Sequence, residues 1–247
     1  MPEPQVIPAA TVIVMREGPG APELLMVERA AAMSFAGGAL VFPGGRVDPG
    51  DYALAATMQG EPNDLAARIA GVRETLEEAG VAVGIDVPAA AIPTLGKRLY
   101  AGEPLAGLLA EVGGELRLGN LVPFARWLPS NVPHRVFDTR FYLALAPEGA
   151  EPIVDGNENV RVFWSSARDV LDAADRGETK IIFPTRRNLD RLALFASFAD
   201  AVADARAHEV RTVTPWIEDR NGEPFLCIPD DLGYPVTAQP LAEASRV

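Results

Sequence analysis

The sequence predicts a single α/β domain followed by a C-terminal tail. Three observations lead there. Strand-like and helix-like stretches are interspersed along the 247 residues, with neither an internal repeat nor a low-complexity linker between them. Hydrophobic residues make up 48% and charged residues 23%, the balance of a globular chain and not of a disordered one. A chain of this size hides about 70–75% of its unfolded surface, so it builds a core without covalent staples.

The elements follow in order. Residues 9–16, Ala-Ala-Thr-Val-Ile-Val-Met-Arg, are apolar and β-branched and read as a strand. Residues 24–29 read as a second strand, with Pro19-Gly20 marking the turn between the two. Gly37-Gly38 and Phe42-Pro43-Gly44-Gly45 then punctuate a short extended stretch. Over residues 63–79 the period changes. Leu65, Ile69, Val72, Leu76 and Ala79 recur at spacings of 4, 3, 4 and 3, which predicts an amphipathic helix. Asn63 or Asp64 is its expected cap and Gly80 its stop. Residues 81–83 are expected to be extended. Residues 88–113, rich in Ala and Leu but broken by prolines, are expected to form an insertion of short helices. Strands are expected over 121–128, 137–145 and 160–164, and helices over 167–176 and 188–207. Pro215, Pro224, Pro229, Pro235 and Pro240 make 208–247 a turn-rich tail, expected to pack on a domain formed by 1–207.

Composition narrows the function. Against 34 Asp+Glu stand 22 Lys+Arg, for a net charge of −12. Broad nucleic-acid binding needs the opposite balance, so nucleic acid is excluded as a general partner. An acidic protein that acts on an anionic ligand must import positive charge locally, as a metal ion or a few arginines. All basic residues but Lys97 and Lys180 are arginines, which suit forked contacts to phosphate, although genomic base composition produces the same bias. Cys227 is the one cysteine, so there is no disulfide framework, and it reads as a small buried hydrophobe. No uninterrupted apolar run approaches the roughly 20 residues of a membrane span. Residues 1–15 carry no basic leader region. A cytoplasmic protein without a membrane partner is the expectation.

The chemistry concentrates on the predicted helix, at Arg73-Glu74-Thr75-Leu76-Glu77-Glu78-Ala79-Gly80-Val81. Glu74, Glu77 and Glu78 stand at i, i+3 and i+4, so the three carboxylates share one face. Like charges at these spacings repel, and with no lysine facing them they call for a counter-ion. A hard divalent cation such as Mg²⁺ or Mn²⁺ prefers such oxygen ligands. Arg73, one turn before Glu77, is placed to orient it. The alternative is a solvated acidic face. Upstream, Phe42-Pro43-Gly44-Gly45-Arg46-Val47-Asp48-Pro49-Gly50-Asp51 forms a glycine-rich turn that brings bare backbone close to a ligand.

Together these residues resemble the box that marks the Nudix hydrolases, G-x5-E-x7-R-E-U-x-E-E-x-G-U with U apolar. Gly45 and Asp51 match its first half, with Asp for Glu. Arg73, Glu74, Glu77, Glu78, Gly80 and Val81 match its second half, with Thr75 at a usually apolar place. Twenty-one residues separate Asp51 from Arg73 where the pattern has seven, so 14 residues are inserted within the box. Gly60 and Pro62 break structure there, and a loop before the helix is expected.

The resemblance implies a Nudix fold: a mixed sheet sandwiched between helices, here with a helical insertion and a C-terminal helix plus tail. It implies hydrolysis of a diphosphate bond in a small molecule, with Mg²⁺ or Mn²⁺ as cofactor. Glu77 and Glu78 would be metal ligands, Glu74 a ligand or the water-activating base, and the backbone at Gly44 or Gly45 would complete the shell. Glu158 is a candidate base outside the box, or a plain loop carboxylate.

A longer resemblance runs over roughly residues 8–195. It includes Glu28-Arg29, Met33-Ser34-Phe35, Gly38, Arg126-Trp127, Phe137-Asp138-Thr139-Arg140-Phe141-Tyr142 and Trp164-Ser165-Ser166. It is similar to the Nudix branch that includes the peroxisomal coenzyme A diphosphatases. Leu25, Arg29, Ala30, Gly38 and residues 42–45 fit that branch's signature, while Val27 and Ser34 depart from it. The implied substrate is coenzyme A or an acyl derivative, with Arg29 and Gly45 as substrate contacts, and Arg135, in a Pro-flanked loop, is a further candidate contact for substrate phosphate. The alternatives are a nucleoside diphosphate derivative such as ADP-ribose or a dinucleotide, and a non-catalytic ligand-sensing module. Arg135, Lys180 and Arg186-Arg187 also read as surface charges, and Trp216 as a packing anchor. Phe195 and Phe198 read as core or homodimer contacts.

Overall fold

The computed structural model describes residues 5–33, 36–129, 135–154 and 158–244. In chain order the first elements are strands β1 (Gln5–Arg16), β2 (Glu23–Arg29), β3 (Ala39–Val41) and β4 (Gly44–Arg46), then helices α1 (Pro49–Ala55) and α2 (Pro62–Ala79). Next come β5 (Ile85–Asp86), α3 (Ile92–Tyr100), α4 (Leu105–Val112), β6 (Glu115–Leu116), β7 (Val122–Trp127), β8 (Arg135–Leu145) and β9 (Asn159–Ser166). They are followed by α5 (Ala167–Asp175), β10 (Lys180–Ile181), α6 (Phe183–Leu192) and α7 (Phe198–Ala207). The last are β11 (Thr212–Val213), β12 (Trp216–Arg220), β13 (Glu223–Cys227), β14 (Ala238–Pro240) and α8 (Leu241–Ala244).

Period-two alternation along β1 and β2 builds two cores. Ala10, Val12, Val14, Leu25 and Val27 enter one cluster, shared with α2, α3 and α4. Ile13, Met15, Leu24 and Met26 enter the other, shared with α5, α6 and α7. Helices therefore cover both faces of the sheet, as in the α/β Nudix fold. The main sheet runs β10-β3-β2-β1-β8-β7-β11, with β4 joined to β1 and β9 to β2. It is mixed: β1 and β8 are parallel, whereas β2 and β9, and β7 and β8, are antiparallel.

The site is positioned by a split in this sheet. β1 and β2 pair only at Met15↔Leu24 and Arg16↔Glu23. Beyond that point β1 pairs with β4 and β2 pairs with β3, so the glycine-rich segment occupies the fork. Helix α2 lies across β1. Gly71 allows the approach, since a Cβ there would meet Val12 Cγ2 at 2.8 Å.

Several expectations change. The segment inserted between the two halves of the box is not all loop: it carries α1, opened by Pro49 and by reciprocal bonds between Asp48 and Asp51. The cap of α2 is Glu61, whose carboxylate accepts from the backbone N–H groups of Asn63 at 3.0 Å and Asp64 at 2.6 Å. Asp64 instead accepts from Arg68 and the Tyr142 hydroxyl. Gly80 does close the helix, with φ of 63°. Residues 81–83 form no strand. Residues 188–207 split between α6 and α7, because Ser197 caps a new helix by accepting from Asp200 N–H.

The tail is more ordered than its prolines suggest. β11 pairs with β7 in the main sheet, and β12, β13 and β14 form a separate antiparallel sheet. Tyr234 anchors it by accepting from Trp127 Nε1 at 3.0 Å and donating to Asn188 Oδ1 at 3.1 Å. Phe195 and Phe198 pack against the second core. No helix among the described residues is long and apolar enough to cross a membrane.

Candidate active site

Glycines bring the backbone of β4 to the acidic face of α2. A Cβ on Gly44 would lie 2.7 Å from Thr11 Cα, so only glycine lets β4 run this close to β1. A Cβ on Gly45 would overlap the Glu74 carboxylate. The turn is tied down by Val12 N–H donating to the Pro43 carbonyl at 3.0 Å and Val47 N–H to the Pro8 carbonyl at 2.8 Å. Gly44 N–H then donates to Glu78 Oε2 at 3.0 Å.

The two halves of the motif meet through Arg73. Its guanidinium forks onto Asp51, with Nε to Oδ1 at 3.1 Å and Nη2 to Oδ2 at 3.0 Å. Nη2 also donates to the Arg46 carbonyl at 3.0 Å, and Nη1 to Glu74 Oε1 at 2.8 Å. Glu77 Oε2 lies 3.8 Å from Nη1. Asp51 is 2% exposed. Burial alone would lower the Arg73 pKa, but the bonds to Asp51 and the charge of Glu74 outweigh it and raise it.

Glu78 is 4% exposed. Burial, then the charge of Glu74, pushes its pKa up to about 8, against the pull of Gly44 N–H, Arg29 and Asn159. Burial also raises Glu74, opposed by Arg73. Arg29 Nη1 is 3.4 Å from Glu78 Oε1, and Nη2 is 3.8 Å from Glu158 Oε2. The Arg29 Nε is buried without a hydrogen-bond partner.

The structure thus gathers Arg29, Gly44, Gly45, Arg73, Glu74, Glu77 and Glu78 in one place, with Glu158 at the margin. The side chain of Arg135 and all of Ser34 and Phe35 lie outside the described residues. Sequence reasoning passed over Asn159, which hydrogen-bonds Glu78 and had no motif to flag it. It also left the bond between Asp51 and Arg73 unread.

The donor set fits a hard divalent cation. Glu78 is buried with only a long contact to Arg29 for counter-charge, and its raised pKa records the deficit that a cation would fill. As placed, Arg73 and Arg29 draw the carboxylates. Among the described residues no three side chains converge as metal ligands would. A cation bound here would compete with Arg29 for Glu78.

No protein-family model matches the chain. It is 29% identical over 183 residues to a provisionally named nudix hydrolase of Caenorhabditis elegans (nudix hydrolase 7), a match covering 68% of this chain and 55% of that relative. The chain thus spans about half the length of the curated relative. The crystal structure of a NUDIX hydrolase from Alicyclobacillus acidocaldarius superposes with a TM-score of 0.69 at 28% identity. That match covers 82% of this chain and 97% of the other.

Proposed function

Since the chain belongs to the Nudix hydrolase superfamily, we propose that it is a metal-dependent diphosphatase acting on coenzyme A or an acyl-coenzyme A. The carrying observation is the placement of Glu74 and Glu78 against the glycine turn, Glu74 packed on Gly45 and Glu78 bonded to Gly44 N–H, with Glu77 on the same face of α2. In this reading Glu77 and Glu78 hold Mg²⁺ or Mn²⁺, with Gly44 backbone completing the shell. A bound ion supplies charge neutralisation on the diphosphate and activation of the attacking water. Glu74 is a further ligand or accepts the proton of that water, and Arg73 fixes its orientation through the bond at 2.8 Å. Gly45 keeps the space around the Glu74 carboxylate open.

Arg29 is the phosphate contact nearest the carboxylates. Its buried Nε without a partner and its long bond to Glu78 leave the guanidinium able to turn to an anion. Arg135 is the second proposed contact, from the start of β8. Residues 1–207 form the body of the hydrolase domain in this reading, and 208–247 pack on the same domain, with β11 extending its sheet. A nucleoside diphosphate derivative is the alternative substrate. A non-catalytic sensing role would be marked by eroded box carboxylates, and all three are present.

The test compares coenzyme A, ADP-ribose and diadenosine polyphosphates with Mg²⁺ or Mn²⁺ and with chelator. Coenzyme A should yield 3′,5′-ADP and 4′-phosphopantetheine only with metal. Turnover of a nucleotide derivative with coenzyme A inert would overturn the substrate assignment. Full activity in chelator would overturn the metal-dependent reading.

A further inference from the structure

We propose that Asn159 is a positioning residue that holds the Glu78 carboxylate in place for the metal. The inference rests on the diphosphatase reading and adds a residue outside the box. It starts from a β-bulge. Along the β2–β9 ladder Glu28 faces Arg161, but the next residue, Arg29, faces Asn159, so Val160 has no opposite number. Such an extra residue rotates the chain and re-aims its neighbours.

The consequence shows in burial. Val162 is buried in the core that contains α2, and regular alternation would place Val160 beside it on that face. Instead Val160 is 59% exposed and Asn159 is 1% exposed. The bulge turns Asn159 inward, where its amide donates to Glu78. Arg29, opposite it in the ladder, points at the same carboxylate. Glu78 is thereby held from three elements: Gly44 N–H of β4, Arg29 of β2 and Asn159 of β9. When a metal draws Glu78 off Arg29, the amide of Asn159 is a neutral donor that need not leave. It steadies the carboxylate without competing for the charge.

Outer-shell donors of this kind are worth about 10- to 100-fold in metal affinity. The test titrates Mn²⁺ calorimetrically into the full chain, wild type, Asn159→Ala and Asn159→Leu, with melting curves alongside. Leucine fills the volume of asparagine without a donor, so it carries the test if alanine does not fold. We expect affinity to fall about 10- to 100-fold in each folded variant. Turnover at limiting Mn²⁺ should fall more than turnover at saturating Mn²⁺, a split that a purely structural lesion would not produce. Wild-type affinity in a folded variant overturns the role of Asn159 and leaves the diphosphatase reading standing. A wild-type chain that takes up no Mn²⁺ even at millimolar concentration overturns both.

Discussion

Gly45 and Glu74 are packed so closely across the contact between β4 and α2 that a single methyl group on residue 45 would occupy the space of the Glu74 carboxylate. Gly44, one residue earlier, is pressed against main chain, with Thr11 Cα 2.7 Å from where its Cβ would be. Two adjacent glycines therefore serve different ends. One accommodates a strand and the other accommodates a functional group.

Substituting each with alanine should separate the two. In Gly45→Ala the obstacle is the far end of a flexible side chain, so Glu74 swings aside. Stability should stay within about 1 kcal/mol of wild type, while turnover falls at least roughly tenfold because a general base or ligand is misplaced. In Gly44→Ala the obstacle is backbone, which cannot swing. A loss of about 1–3 kcal/mol is expected, as for overpacked interiors. Melting curves and turnover measured on the same preparations check both.

Glu78→Gln keeps the volume of the side chain, removes its charge and turns one of its two acceptor oxygens into a donor. We expect a folded protein whose turnover in Mg²⁺ is lower by orders of magnitude. Circular dichroism and initial rates decide it. A near wild-type rate would show that Glu78 is dispensable for metal loading.

The same variant has a pH signature. The metal-free folded protein binds a proton at Glu78 up to about pH 8, whereas the ordinary value is 4.5. A raised carboxyl pKa means that its contribution to stability is full below pH 4.5 and is lost as pH rises to 8. Glutamine, neutral throughout, does not suffer this loss. The melting temperature of Glu78→Gln should therefore gain on that of the metal-free wild type as pH climbs through the window. Parallel curves would contradict the burial of a strained carboxylate.

Arg73→Ala should be among the more damaging changes in α2. It leaves Asp51, which is 2% exposed, without the fork that compensates its charge. Breaking one side of a buried ion pair costs about 3–5 kcal/mol. Arg73→Lys keeps the charge but not the two-pronged geometry, and should fall between alanine and wild type. Denaturant midpoints measured for the three proteins test the order.

Much of this was legible in one dimension. The strands over 9–16 and 24–29 and the helix over 63–79 reveal themselves by period, because burying one face of an element requires it. The carboxylate trio on α2 is a consequence of the same period. What escaped reading depends on distant partners. Asp48-Pro49-Gly50-Asp51 reads as part of a turn, yet the two aspartates cap α1 reciprocally. The motif suggests a phosphate as the partner of Arg29, and the structure sets it against Glu78. The bulge at Val160 has no residue type to announce it, so nothing in the sequence sets Asn159 apart. Ser197 divides a stretch whose composition reads as continuous helix.

The joint between α1 and α2 makes this chain a receptive host for foreign sequence. Ala56, Thr57, Gln59, Gly60 and Glu61 are exposed there, while Asp51 and Arg73 clasp one another on the inner side. Connector length and site geometry are thus uncoupled: α1 ends at its C-cap Ala56, and Glu61 starts α2 afresh with its own cap. A guest domain spliced between Gln59 and Gly60, with its own ends close together, would ride outside the molecule at little thermodynamic expense. A reporter fused at that port would sit at the entry to the helix that bears the carboxylates, without displacing any of them.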